Sequence, residues 1–194
     1  MLVYMVRHGQ TDWNAEGRLQ GQKDIPLNRV GERQAAANGR ALKTLIGAHV
    51  ADYDFVSSPL TRCRQTMEAI RGELGLDVGA YRMDERLREI SFGDWEGHTL
   101  AEIEERHPDA IAVREASKWD FIPPGESAES YEILSWRIAA WLATVDRPTV
   151  CVAHGGVIRS VFRIKDLMSG GDAAVAPIPQ DRILKIDEGS AQWV

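Results

Sequence analysis

Short apolar runs alternate with longer segments in which apolar residues recur every three to four positions, the pattern of strands and helices following one another along an α/β chain. Leu2–Val6 is apolar throughout, as expected of a strand buried on both faces. Gly9–Asn28 follows as a polar, Gly-containing loop whose length marks it as functional rather than merely connecting. Gly31–Leu45 reads as a helix with apolar positions at Ala37, Ala41, Leu42 and Leu45. Asp54–Val56 is a short strand halted by Ser57-Ser58-Pro59, and Pro59 suits the first turn of a helix that runs to about Glu73. Val78–Tyr81 reads as another short strand.

From Asp84 to Asp120 no clean strand pattern appears; the segment reads as a loop followed by helices around Leu100–Arg106 and Asp109–Lys118. Pro123-Pro124-Gly125 breaks the chain, and Ser127 is placed to cap a helix bearing Leu134, Ile138, Trp141, Leu142 and Val145 on one face. A strand at Thr149–Ala153, a helix from about Gly156 to Met168 and a Gly/Ala/Pro loop from Ser169 to Gln180 complete the middle of the chain. Two short strands, Arg182–Asp187 and Ala191–Val194, turn at Glu188-Gly189. The expected architecture is a single domain over residues 1–194: a three-layer α/β/α sandwich with a mostly parallel sheet and helices on both faces. Residues 84–125 are the expected insertion or lid over the functional face.

Two of the apolar strands end alike. Val3-Tyr4-Met5-Val6 runs into Arg7-His8-Gly9, and Val150-Cys151-Val152-Ala153 into His154-Gly155-Gly156. Ligands of α/β sheets bind beyond the carboxyl ends of the strands, so these residues converge on one site. Arg62 joins them from the helix that follows Ser57-Ser58-Pro59. Helix N-termini after Pro59 and His154 add backbone N–H groups suited to an anion. A neutral imidazole is a nucleophile, and adjacent guanidinium groups disfavour its protonation. Phosphoryl transfer is chiefly positioning and charge stabilisation, for which an arginine cradle is the required equipment.

Composition narrows the partners. A formal net charge of −6 argues against non-specific binding to nucleic acid or an anionic membrane, but a local arginine pocket overrides it for a small phosphate ester. The two cysteines, Cys63 and Cys151, form neither a zinc pattern nor a disulfide framework, so reduced thiols in a cytoplasm are expected. Arg7 interrupts the first apolar run, which argues against a secretory signal, and no run approaches a membrane span. The expected partner is a small phosphorylated metabolite, with no metal or other cofactor, in a monomer or homodimer.

Five ordered motifs carry a resemblance. They are Arg7-His8-Gly9-Gln10-Thr11 with Asn14, Leu19-Gln20-Gly21, Asp24, Pro26-Leu27 and Gly31; Ser57 to Thr66; Leu87-Arg88-Glu89-Ile90 with Phe92 to Gly97; Pro124 to Ser127; and Ala153-His154-Gly155-Gly156. Together they resemble the histidine phosphatase superfamily, in its phosphoglycerate-mutase-like branch, over about residues 3–160. The resemblance implies that His8 attacks phosphorus and carries the phosphoryl group. Arg7, Arg62 and His154 would surround the phosphate oxygens. Asn14, Gln20, Gly21 and Gly155 would help bind substrate, and Glu89 would protonate the leaving oxygen, in preference to the nearby Glu85. The family's mutases are generally longer between the third and fourth motifs, so the shortness of this chain there favours hydrolysis over mutase chemistry. A non-catalytic binder would lack the nucleophile or the acid, and both are present. Departures from the family pattern are Gln10 for a frequent glutamate, and Cys63 and Met67 for small alanines.

Other readings of single residues are plainer. His49, His98 and His107 are expected at the surface, Arg64 as a solvated helix residue, and Glu126 in a structural role. Trp13, Trp95 and Trp119 lie in expected site loops. Asp52-Tyr53-Asp54-Phe55-Val56 matches the short motif of haloacid-dehalogenase-like phosphatases, but its aspartates precede the strand instead of following it. A cysteine phosphatase needs an arginine six residues beyond the cysteine, where Ala69 and Val157 stand.

Overall fold

The computed structural model describes residues 2–187 and 189–194. Its elements in chain order are β1 (Val3–Arg7), α1 (Asp12–Ala15), α2 (Arg29–Ile46), β2 (Asp54–Ser57), α3 (Thr61–Leu74), β3 (Arg82–Met83), α4 (Leu100–Arg106), α5 (Pro108–Ala116), α6 (Tyr131–Leu142), β4 (Thr149–Ala153), α7 (Gly155–Ile164), α8 (Gly170–Val175), β5 (Ile183–Asp187) and β6 (Ser190–Trp193). The sheet order is β3-β2-β4-β1-β5-β6. β1 to β4 run parallel, and β5 and β6 add an antiparallel edge. The α/β/α expectation holds, with helices on both faces.

Alternation along the strands builds two cores. Val3 and Met5 of β1 join Cys151 and Ala153 of β4 against Leu134, Ile138 and Trp141 of α6 and Ile158 and Val161 of α7. Tyr4, Val6, Val150 and Val152 face the other way, onto Leu42 and Ile46 of α2 and Cys63, Met67 and Ile70 of α3. The register pairs Arg7 with Ala153 and Ser57 with Val152, so β1, β2 and β4 end side by side. His8, Ser58 and His154 therefore leave one edge of the sheet together.

Several expected elements are corrected. The face of α2 is not Ala37, Ala41 and Leu45, which are exposed, but Gly31, Ala35, Asn38, Gly39, Leu42 and Ile46. Small residues are needed there, because a Cβ on Gly39 would lie 2.8 Å from Glu73 Cβ on α3. Val78–Tyr81 is a turn around Asp77 and Gly79; pairing resumes only at Arg82–Met83. Ser130, not Ser127, caps α6, accepting from the Ile133 amide, because residues 125–129 are spent on a turn and on a bond from the Glu129 amide to the Ser91 carbonyl. α7 ends at Ile164, before the left-handed Asp166, and the expected loop after Ser169 contains α8, capped by the Ser169 hydroxyl. The loop Gly9–Asn28 likewise holds α1, closed by a reciprocal cap between Thr11 and Asn14. The expected final turn includes Glu188, which lies outside the described residues.

Candidate active site

At the carboxyl edge of the sheet, a cavity of about 140 Å³ is lined by Arg7, His8, Asn14, Gln20, Gly21, Arg62, Glu89 and Gly155, together with Arg18, Leu19, Phe92, Tyr131 and Arg159. His154 lies behind this lining, fully buried, with its ring centroid 5.2 Å from that of His8. All of the sequence-derived site residues are thus brought together.

The His8 ring is held in one tautomer. Nδ1 lies 2.8 Å from the Gly9 carbonyl, which can only accept, so Nδ1 carries the proton and Nε2 keeps its lone pair. The backbone amide of His8 donates to Ala153, and Gly9 donates to Thr66 Oγ1 on α3. Burial, and then Arg62 and Arg7, push the His8 pKa well below that of a free imidazole, outweighing the Gly9 bond. Burial followed by Arg62, His8, Arg137 and Arg7 does the same to His154. His154 Nε2 meets Ser58 Oγ at 2.8 Å and Cys63 Sγ at 3.4 Å. Cys63 therefore does more than repack its helix: it is part of the wall that fixes the second histidine.

Arg62 is fully buried at the start of α3. Its Nη1 donates to the Lys23 carbonyl at 2.7 Å and its Nη2 to the Gly21 carbonyl at 2.8 Å. The loop that supplies those carbonyls is tied to α3 by Asp24, which accepts from both the amide and the hydroxyl of Thr61, and by Gln65 Oε1, which accepts from the Leu27 amide. Gly21 has a φ of +50°, and a Cβ there would strike Glu96 Oε1 at 1.9 Å. Arg7 donates through Nη1 to the Ile178 carbonyl at 2.7 Å. The Nε–H groups of both arginines are buried and meet no acceptor in the protein. Burial lowers the pKa of each guanidinium, but from so high a value that both stay charged. Two cations, Arg62 fully buried and Arg7 half-buried, each with a buried and unmatched Nε–H, are what an oxyanion would satisfy.

Glu89 is held at the N-terminus of α7: Oε1 accepts from the Ile90 amide at 3.0 Å and Oε2 from the Gly156 amide at 3.2 Å. A Cβ on Gly156 would lie 2.3 Å from Oε1, so glycine is what lets the carboxylate approach the helix end. Glu85, the alternative acid, is exposed and paired with Arg88 at 3.3 Å, away from the cavity.

Residues that no motif flagged complete the frame. Arg137 of α6 donates to the carbonyls of Arg86, Arg88 and Glu89 while paired with Glu129 at 2.9 Å, which fixes the backbone beneath Glu89. Gln180 bridges the His8 carbonyl and Asn14 Oδ1, both at 3.1 Å. These act across the fold from outside the motifs, so nothing in their local sequence distinguishes them. Arg18, Tyr131 and Arg159 line the cavity unforeseen; the placement of Arg18 in the expected functional loop was the one available signal. Gln10, the departure from the family's frequent glutamate, turns to Asn28 instead of the cavity. Arg64 and the tryptophans are absent from the lining, although Trp119 stacks on Tyr131 at 5.6 Å. Asp54 pairs with Arg82 at the opposite end of β2, which removes the dehalogenase-like motif from the site. Among the described residues, no group of three His, Cys, Asp or Glu is arranged to hold a metal ion.

This fold and this edge-on histidine pair define a class, and residues 3–171 match the model of the histidine phosphatase superfamily, branch 1. The chain belongs to that superfamily. It is 38% identical over 171 residues to glucosyl-3-phosphoglycerate phosphatase of Mycobacterium tuberculosis, covering 82% of this chain and 72% of the relative. An uncharacterised phosphatase of Bacillus subtilis, PhoE, is 36% identical over 176 residues, covering 88% of this chain and 78% of the relative. A probable phosphoglycerate mutase, GpmB, of Citrobacter koseri is 38% identical over 169 residues, covering 79% and 69%. The native structure of mycobacterial glucosyl-3-phosphoglycerate phosphatase superposes with a TM-score of 0.76 at 30% identity, over 95% of this chain and 88% of that one.

Proposed function

We propose that the protein hydrolyses a small phosphate monoester, the phosphoryl group passing through His8. One observation carries the reading: a buried imidazole, with its Nδ1 proton committed to the Gly9 carbonyl, stands beside Arg7 and Arg62, whose buried Nε–H groups have no protein acceptor. The Nε2 lone pair forms the bond to phosphorus as the phosphorus–oxygen bond to the leaving alcohol breaks. Glu89 gives its proton to that oxygen. Water then attacks the phosphohistidine, Glu89 takes a proton from it, and the phosphorus–nitrogen bond breaks to release phosphate and restore neutral His8. Arg7 and Arg62, with Asn14, Gln20, Gly21 and Gly155, hold the phosphoryl oxygens throughout, and His154 backs them from behind the lining. The substrate is a phosphorylated metabolite of the sugar-phosphate kind, in keeping with the relatives named as glucosyl-3-phosphoglycerate phosphatases. Residues 1–194 act as one domain, and the 84–125 segment, which supplies Glu89 and Phe92 to the lining, serves as its cover.

The test is to trap the cycle. Brief incubation with a ³²P-labelled ester and an alkaline quench should leave acid-labile, base-stable label on His8. His8→Ala should carry no label and show no turnover. Turnover without label, or an active His8→Ala, would overturn the reading. Rapid exchange of 2- and 3-phosphoglycerate primed by bisphosphoglycerate, with little free phosphate, would replace hydrolysis with mutase chemistry on the same histidine.

A further inference from the structure

The amino end of β2, opposite the His8 edge, opens onto a cleft of about 480 Å³. It lies between the segment leading into β2, from Val50 to Tyr53, and the turn that precedes β3, from Leu76 to Tyr81. Arginines fix both walls: Arg147 Nη2 donates to the Asp52 carbonyl at 2.9 Å, and Arg71 Nε to the Asp77 carbonyl at 2.7 Å. None of the residues lining this cleft lines the His8 cavity.

Arg71 lines the cleft from α3 and is only 6% exposed, with its guanidinium carbon 4.8 Å from the centre of the Phe55 ring. Phe55 takes one face of the guanidinium and the Asp77 carbonyl takes Nε. Among the described residues, Nη1 and Nη2 make no hydrogen bond and Arg71 joins no ion pair. Asp77, whose field reaches Arg71, accepts from the Gly79 amide at 3.0 Å instead. The other charges on the walls, Arg82 and Asp54, pair with each other. One positive charge is therefore unbalanced, and an arginine keeps its charge even when buried. A guanidinium held out of water with two unused N–H groups is costly unless an anion meets it, and its planar edge matches a carboxylate through parallel hydrogen bonds. Half-buried Tyr53 and Tyr81 give the cleft aromatic walls.

We infer that this cleft is a second ligand site, remote from His8, for a monocarboxylate with an aromatic body: the carboxylate sits on Nη1 and Nη2 of Arg71, and the ring lies against Tyr53 and Tyr81. A single negative charge matches the single unbalanced cation, which a phosphate dianion would exceed. The volume falls within the range of roughly 300–1,000 Å³ that small-molecule sites occupy. The inference does not rest on the phosphatase reading.

The probes are 2-naphthoate and its neutral isostere 2-naphthamide, titrated into the ¹⁵N-labelled full chain. 2-Naphthoate should shift the amides of Ala51, Gly79 and Tyr81 with a Kd on the order of 1 mM or below, the scale for a ligand of its size. 2-Naphthamide should bind at least about tenfold more weakly, because it lacks the charged hydrogen-bond acceptor. Arg71→Gln should weaken 2-naphthoate by about 10- to 100-fold, and Arg71→Lys should recover part of that, since lysine keeps the charge but not the fork. Arg71 also supports the turn at Asp77, so Ala51→Trp is the second variant: it fills the cleft from an exposed position and should abolish binding while turnover at His8 stays that of the wild type. No shift at these amides, shifts confined to the His8 cavity, or equal binding of the two probes would overturn the inference. So would binding that survives Arg71→Gln or Ala51→Trp undiminished. A protein that binds 2-naphthoate in this cleft but hydrolyses no ester would overturn the phosphatase reading alone.

Discussion

Lowering the pH from 7.5 to 5.0 should cost this protein stability through two buried rings. His8 and His154 are both pushed well below the ordinary imidazole pKa, first by burial and next by Arg62. In the unfolded chain each titrates near 6.5. Below that pH the unfolded state binds protons that the folded state refuses, so stability falls as pH falls and is fully present above it. With both rings neutral in the fold at pH 5, each contributes a loss of about 2 kcal/mol, or about 4 kcal/mol for the pair. For a chain of this size that is on the order of 10 °C in Tm. Urea unfolding followed by tryptophan fluorescence at steps between pH 7.5 and 5.0 reads the slope, in buffers free of phosphate, which would add stability by binding the fold. The double variant His8→Asn with His154→Asn removes both titrations and should lose about 4 kcal/mol less than the wild type over the same range. Parallel losses in the two proteins, within about 1 kcal/mol, would refute the claim that the rings are held neutral.

Two further predictions concern the site's frame. Arg62→Ala should reduce kcat/KM on the order of 10³-fold, the scale of a lost arginine clamp; a drop of under about tenfold would demote Arg62 to a structural role. Gly156→Ala places a methyl group against Glu89 Oε1 and should slow esters of poor leaving groups by about 100-fold, while sparing p-nitrophenyl phosphate, whose leaving group needs little help from an acid. Equal losses on both kinds of ester would show that Gly156 does not act through Glu89.

What was legible in the sequence were features whose cause is local. The strand at Thr149–Ala153, an apolar run from Val150 on, is buried in full, and its bounds are as expected. Arg7, His8 and His154 were legible because parallel strands deliver the residues that follow them to a common edge. The packed face of α2 was not, because it meets the Gln10 backbone over Gly31 and α3 over Gly39, residues without the bulk that periodicity detects. β3 was misplaced for a similar reason: a two-residue edge strand with both side chains exposed has no apolar signature. Arg137, Gln180 and Arg159 were invisible because their partners are backbone carbonyls or distant side chains, and no spacing along the chain encodes them.

The same long-range bonds explain how a concentration of buried positive charge is tolerated at all. A buried arginine is costly unless its N–H groups are satisfied. Here the outer nitrogens of Arg62 are spent on the Gly21 and Lys23 carbonyls, and Nη1 of Arg7 on the Ile178 carbonyl. The Gly21 and Lys23 carbonyls belong to a loop that Asp24, Gln65 and Glu96 in turn fasten to the rest of the fold, and the segment around Ile178 is held by Asn38 and Arg159, which donate to the Gln180 and Ala176 carbonyls. The Nε–H groups of both arginines and Nη2 of Arg7 are left over, and the rigidity that isolates them also holds them in place for a phosphoryl oxygen. Neutral imidazoles complete the arrangement, because a protonated His8 or His154 would add another cation to a cluster with little to balance it. The nucleophile's readiness and the anion's binding site therefore share a physical origin, an imidazole buried beside the Arg62 and Arg7 guanidinium groups.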